Sequence, residues 1–345
     1  MKFFAALALA ALAAAAPQKR ASPLDVKLEA SGNSAIKATV TNNGKNGLKV
    51  FKTGSFLDAA PVEKVEVFAG EQPIEFDGVR LRLAEGPKAD EDFEFIAAGA
   101  SVEVTFDVAE FHDLSLGGAF SVHSSGDIAF AEEGSNELTG TVPYDSNTLE
   151  LKVDGDEASA TRIEFHAKRT RVQSTCTGAR LTASQNALSR CASLARAGQQ
   201  AAQSGAAAKM TEFFKSSTTA TRNEVANVLS RTASECASTN AGVSTYYCSD
   251  PYGYCQGSVL AYTVPSASVM AYCNSFFNMP AQSTSCYGQD QANTVLHEVT
   301  HLRQIKGTED YGVYGYNAVR GLTAAQNLNH ADTYTLFAQA ISRGC

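Results

Sequence analysis

The stretch Thr294-Val295-Leu296-His297-Glu298-Val299-Thr300-His301 holds the residues of this chain best suited to chemistry. Two histidines four apart share one helix face, so both imidazoles can reach a single metal ion. Glu298 falls beside such an ion rather than on it. From there it can take a proton from attacking water and return it to a leaving amine. Zinc suits the work, because it polarises a carbonyl and lowers the pKa of a bound water toward roughly 7.

A catalytic zinc takes three protein ligands and keeps one position open. In one class of such sites a third histidine follows the second by six residues, but that position is Gly307. Another class uses a glutamate from a later helix, and no glutamate follows Glu309. The remaining candidates are Glu309, Asp310, His330 and Asp332. Gly307 can end the helix, and Thr308-Glu309-Asp310 then turns back toward the ion, so Asp310 fits sterically.

The elements that must position these groups lie in the second half of the chain. Residues 177–202 carry Leu181, Leu188, Cys191, Leu194 and Ala195 at helical spacing, with Ser184 filling the gap. Residues 208–237 carry Met210, Phe213, Phe214, Val225, Val228 and Leu229, and helical patterning returns at 290–305 and 325–342. Between 239 and 289 the chain is rich in Ser, Tyr, Gly and Cys, which predicts disulfide-tied loops and a hairpin around 255–273. The second half is therefore expected to be mainly α with a small β-hairpin. In the first half, residues 46–54, 63–69, 78–84 and 101–108 alternate apolar with polar between turn signals. That half is expected to be mainly β, an antiparallel sandwich or small barrel over roughly 21–160.

The halves also differ in charge. Through Arg169 there are 16 Lys+Arg against 27 Asp+Glu, and from Thr170 onward 12 against 9, so an acidic half is joined to a mildly basic one. The switch coincides with Lys168-Arg169, a pair that a dibasic-cleaving processing protease recognises; Lys19-Arg20 is another such pair. Lys2, then an apolar run from Phe3 to Ala16 ending in small residues before Pro17, reads as a secretory signal peptide. No later run reaches the ~20 apolar residues of a membrane span. The expected organisation is a signal peptide at 1–16, a propeptide at 17–169 and an enzyme domain at 170–345.

All eight cysteines (Cys176, Cys191, Cys236, Cys248, Cys255, Cys273, Cys286 and Cys345) fall in the second half, with no CxxC pair. An even set after a signal peptide reads as a disulfide framework in a secreted protein. With no cysteine in 17–169, no propeptide thiolate can cap the metal. The sequence holds no Asn-x-Ser/Thr sequon.

The combined motif resembles the aspzincins, and the fungal deuterolysins, or neutral proteases, in particular. The matching residues are His297-Glu298-Val299-Thr300-His301, Gly307-Thr308-Glu309-Asp310, Tyr314-Gly315-Tyr316, then Asn329-His330-Ala331-Asp332-Thr333-Tyr334 and a terminal cysteine, covering essentially 170–345. The resemblance implies a zincin-like zinc metalloendopeptidase made as a zymogen, with one zinc per chain on His297, His301 and Asp310. It implies Glu298 as general base and a tyrosine near the metal that hydrogen-bonds the oxyanion. The family ordinarily has two residues between the aspartate and Tyr-Gly, whereas Tyr311-Gly312-Val313 makes three. Tyr314 is the first choice for that tyrosine, with Tyr311 and Tyr316 as alternatives. Lysine-specific relatives line a primed-side pocket with an aspartate and a glutamate. Asp332 matches the first, but Thr335 stands where the second would be, and a capping or outer-sphere role for Asp332 is equally open. Family disulfides imply Cys176–Cys248, Cys255–Cys273 and Cys286–Cys345, which leaves Cys191 with Cys236.

The implied partners are protein and peptide substrates, basic proteins among them, the chain's own propeptide and a dibasic-specific processing protease. Nucleic acid and membrane are not expected, since Lys/Arg nowhere cluster beyond a few residues. Two other readings use the same residues. One is a secreted binding or effector protein on this scaffold, and the other is a zinc-dependent hydrolase of non-peptide substrates.

Overall fold

The computed structural model describes residues 22–169, 176–237 and 242–345, with side chains through 165 in the first stretch. The expected signal peptide, the Lys19-Arg20 pair, the residues just after the junction at Arg169 and the side chains of Lys168 and Arg169 lie outside that description.

The described part of the first half contains β1 (Leu24–Ala30), β2 (Ala35–Asn42), β3 (Leu48–Phe51), β4 (Glu66–Ala69), β5 (Gln72–Pro73), β6 (Arg80–Leu83), β7 (Phe93–Ile96), β8 (Ser101–Asp107), β9 (Gly118–His123), β10 (Ser125–Ala131), β11 (Leu138–Asp145) and β12 (Leu149–Val153). Alternation builds them. In β2, Ile36, Ala38, Val40 and Asn42 are buried while their neighbours are half-exposed. Eleven of these strands form three antiparallel sheets, ordered β1-β2-β8, β11-β10-β3-β7 and β12-β9-β4-β5. Helix α1 (Gly155–Arg169) closes the half.

The second half packs α2 (Gly178–Ser204), α3 (Ala207–Phe214), α4 (Thr219–Cys236), α5 (Asn274–Phe277), α6 (Gln291–His301), α7 (Tyr316–Gly321), α8 (Ala324–Leu328) and α9 (Ala331–Arg343) with β13 (Thr245–Tyr247), β14 (Val259–Val264) and β15 (Val269–Tyr272). α6 lies inside, against α2, α9 and β14. Cys191–Cys236 ties α2 to α4, and Cys176–Cys248, Cys255–Cys273 and Cys286–Cys345 complete the framework. Loops of 45 to 72 residues closed in this way each add about 3–4 kcal/mol by restricting the unfolded chain. No helix among the described residues is long and apolar enough to cross a membrane.

The expected split into a mainly α second half and a mainly β first half is overturned. Among the described residues, 36% are helix and 27% strand. The sheet beside α6 is no small hairpin but four strands, ordered β13-β15-β14-β6, and β6 comes from the first half. The physical reasons are local. β14 reads Val-Leu-Ala-Tyr-Thr-Val and is buried throughout, so it shows no alternation. β13 and β15 are only three and four residues long. The Arg-Leu-Arg-Leu of β6 announces a strand without announcing its partner. The two halves consequently share a core, in which Val79, Leu81 and Leu83 meet Tyr262, Val264 and Val269.

Candidate metal centre

Every residue of α6 is buried, the polar ones included. Buried polar groups need partners, and here the partners set the helix in place. Asp290 caps the N-terminus: its carboxylate accepts the Asn293 and Ser283 N–H groups at 2.7 and 2.8 Å, while Asn293 Oδ1 accepts the Asp290 N–H at 3.1 Å. After His301 the chain leaves the helix at Leu302 and reverses through Gly307, whose φ of 67° is easy only for glycine. The reversal returns Thr308 and Asp310 to the end of the helix. Thr300 and Thr308 hydroxyls meet at 2.9 Å and lock the turn.

His297, His301 and Asp310 converge there, with one ligand atom from each lying within 4.8 Å of the others, all buried. His297 Nδ1 is 3.0 Å from Asp332 Oδ1, and His301 Nδ1 is 2.8 Å from the Thr308 carbonyl. Each Nδ1–H donates, so each Nε2 presents a lone pair. Those two Nε2 atoms face each other at 3.1 Å, with Asp310 Oδ1 3.2 Å from one and Oδ2 3.4 Å from the other. Three electron-pair donors crowded into a buried volume fit a cation of the size and taste of zinc.

Glu298 lies beside this cluster. Its Oε2 accepts the Thr263 hydroxyl from β14 at 2.5 Å, and its buried Oε1 has no protein partner. Burial pushes its carboxyl up to about 7. The Tyr314 ring stands 6.3 Å from the His297 ring, centroid to centroid. Burial holds its hydroxyl protonated far above the ordinary range, hence as a donor. Tyr311 and Tyr316 are engaged elsewhere. The Tyr311 hydroxyl accepts from Asn329 at 3.3 Å, and Tyr316 donates to Glu212 at 2.6 Å and stacks on Tyr287. The three-residue spacer bends through left-handed Tyr311 and Gly312 (φ 52° and 65°), and Tyr314 still comes alongside His297. Glu309 turns away toward Arg80, 3.7 Å off. Asp332 is fully buried behind His297, and its Oδ2 accepts the Gly315 N–H at 2.7 Å. Thr335 bonds back to the Ala331 carbonyl of its own helix.

The model of the deuterolysin metalloprotease (M35) family matches residues 2–345. The chain belongs to that family. It is thus a zinc metalloendopeptidase of the deuterolysin type. A neutral protease 2 homolog of Colletotrichum graminicola is 56% identical over the whole of both chains. Others from Phaeosphaeria nodorum and Pyricularia oryzae are 52% and 49% identical, over 100% and 99% of this chain and 100% and 98% of theirs. A solved zinc peptidase from Grifola frondosa covers 48% of this chain and 97% of its own at 22% identity, with a TM-score of 0.39.

Three residues of this deuterolysin site were given no role by the sequence motif, two of them lying outside it. Thr263 is one of them, buried on β14 against Glu298. His330, which lies within the motif, holds the loop of the third candidate ligand, with Nε2 3.0 Å from the Asp310 carbonyl and 3.1 Å from that of Val313. Arg82 is the third: it reaches from β6 to pair with Asp332, its guanidinium 3.3 Å from His297 Nδ1. Only its place in an alternating strand was visible beforehand. A cavity of about 720 Å³ lies between the halves, its lining including Asp310, Tyr314, Leu81 and Asp127.

Proposed function

We propose that the chain is the precursor of a secreted endopeptidase in which His297, His301 and Asp310 hold one zinc ion. The observation that carries this reading is the convergence of their donor atoms, with both Nδ1 atoms committed elsewhere and both Nε2 lone pairs aimed at one point. When bound, zinc supplies Lewis acidity toward a peptide carbonyl and makes water a better nucleophile near neutral pH. Glu298, kept in place by Thr263, takes the proton of the attacking water and delivers it to the leaving amine. Tyr314 donates its hydroxyl to the oxygen on which negative charge develops. Asp332 and Thr308 fix the two imidazoles, and His330 fixes the Asp310 loop.

Residues 1–16 act as the signal peptide, 17–169 as the propeptide and 170–345 as the enzyme, released by cleavage after Lys168-Arg169. Four disulfides with no free cysteine among the described residues suit an oxidising, extracellular setting. The experiment is cleavage of a protein substrate by the chain cut after Arg169, assayed before EDTA, after EDTA, and after zinc is restored. Activity that disappears and returns with zinc is the expected result. A zinc-loaded, folded, cut chain that cleaves nothing would overturn the reading.

A further inference from the structure

The three donor groups are not equally sheltered. His297 and His301 are 0% exposed, while the Asp310 side chain keeps 9% of its surface. Asp310 is also the one of the three that lines the cavity of about 720 Å³ between the halves. Its Oδ1 is buried and receives no hydrogen bond. On the opposite side of the His297 ring stands the Arg82 guanidinium, 1% exposed and 3.3 Å from Nδ1. A cation approaching from there would meet a fixed positive charge. The route left to it runs past Asp310.

The cavity has a sign and a direction. Six carboxylates line it, against the two fixed cations Lys64 and Arg80. Both cations are engaged: Arg80 pairs with Glu63 at 2.6 Å and with Glu309 at 3.7 Å, and the Lys64 ammonium donates to the Asp58 carbonyl. The lining begins at exposed residues, Glu66 on β4 with Ser125 and Asp127 on β10, and reaches inward to Asp310. A cleft lined by one sign of charge between low-dielectric walls concentrates the opposite ion and raises its on-rate about 10- to 1000-fold. Imidazole suits zinc better than carboxylate does, so an ion held among carboxylates is drawn on toward His297 and His301.

We propose that this cavity is the loading path by which a zinc ion enters the intact, folded chain. Glu66 and Asp127 draw the ion in, and Asp310 meets it first and passes it to the two imidazoles. Metal is thus taken up before the first half is released. The inference rests on the reading above that His297, His301 and Asp310 hold the zinc.

The test uses the full, uncut chain stripped of metal by a chelator, as wild type, as Glu66→Lys/Asp127→Lys, and as Ser125→Trp, whose indole plugs the exposed end of the cavity. Zinc uptake is followed by stopped flow with a fluorescent zinc indicator, release by trapping with excess chelator, and affinity by equilibrium titration. Wild type should fill without cleavage at Arg169, at a rate that falls as salt screens the carboxylates. The double variant should load at least about tenfold more slowly at low salt, with the gap narrowing at high salt. Ser125→Trp should slow uptake and release by the same factor and leave the affinity unchanged, a pattern that damage to the metal centre would not give. If the tryptophan variant fails to fold, the double variant and its salt dependence decide. Uptake as fast as wild type in both folded variants, or zinc taken up only after cleavage, would overturn the proposal while leaving the metal centre standing. A chain that binds no zinc at equilibrium, cut or uncut, would bring down the metal centre and the path together.

Discussion

His297 Nδ1 donates to Asp332 Oδ1 across 3.0 Å, joining α6 to α9 with neither side chain exposed. The bond fixes the tautomer of His297 and makes its Nε2 more basic, as partners of this kind do for metal-bound histidines generally. Asp332→Asn keeps the shape and removes the charge. In the cut chain it is expected to weaken zinc binding about 10- to 100-fold while leaving the fold in place. A competition titration against a calibrated chelator reads this directly, and an unchanged affinity would show that Asp332 does not support His297.

Tyr314→Phe removes the hydroxyl of the tyrosine whose ring stands beside His297. Its zinc content should equal that of wild type, while kcat falls about 100- to 1000-fold, the usual cost of losing one oxyanion donor. Tyr311→Phe and Tyr316→Phe should stay near wild-type kcat, because their hydroxyls bond Asn329 and Glu212 instead. An equal loss in Tyr311→Phe would move the role.

The candidate ligands stood out together because they come from one short stretch. A helix period of four brings His297 under His301, and one glycine returns Asp310. Strands near 48–51, 66–69, 80–83 and 101–107 could be read from alternation as well. What could not be read depends on contacts between distant parts of the chain. Arg82 and Asp332 are 250 residues apart, and neither an Arg-Leu-Arg-Leu run nor a helix-opening aspartate says which will meet which. The hairpin read around 255–273 does hold β14 and β15, but β14, buried on both faces, carries no alternation to announce that β6 pairs on its far side, nor does the three-residue β13 announce itself beside β15.

Lys64 gives the first half a distinctive pH signature. It is buried beside Phe106 with its ammonium donating to the Asp58 carbonyl, and burial lowers its pKa to about 8 despite Asp58 and Glu110. Below pH 8 the group is protonated folded and unfolded, and the folded chain carries the whole burial cost. From about 8 to 10.5 the unfolded chain binds more protons, so this contribution rises with pH. Lys64→Met should therefore stabilise the intact chain at pH 7 by up to about 3 kcal/mol, with a gain that shrinks by pH 10. Urea midpoints at the two pH values read the difference, and a gain independent of pH would contradict it.

The claim that three residues hold the metal while a fourth moves the proton separates two variants of the cut chain. Zinc content by elemental analysis and peptide turnover should be measured on the same preparations of Glu298→Ala and Asp310→Ala. Glu298→Ala is expected to keep one zinc per chain and lose turnover. Asp310→Ala is expected to lose both. Full zinc retention in Asp310→Ala, or turnover near wild type in Glu298→Ala, would contradict the account.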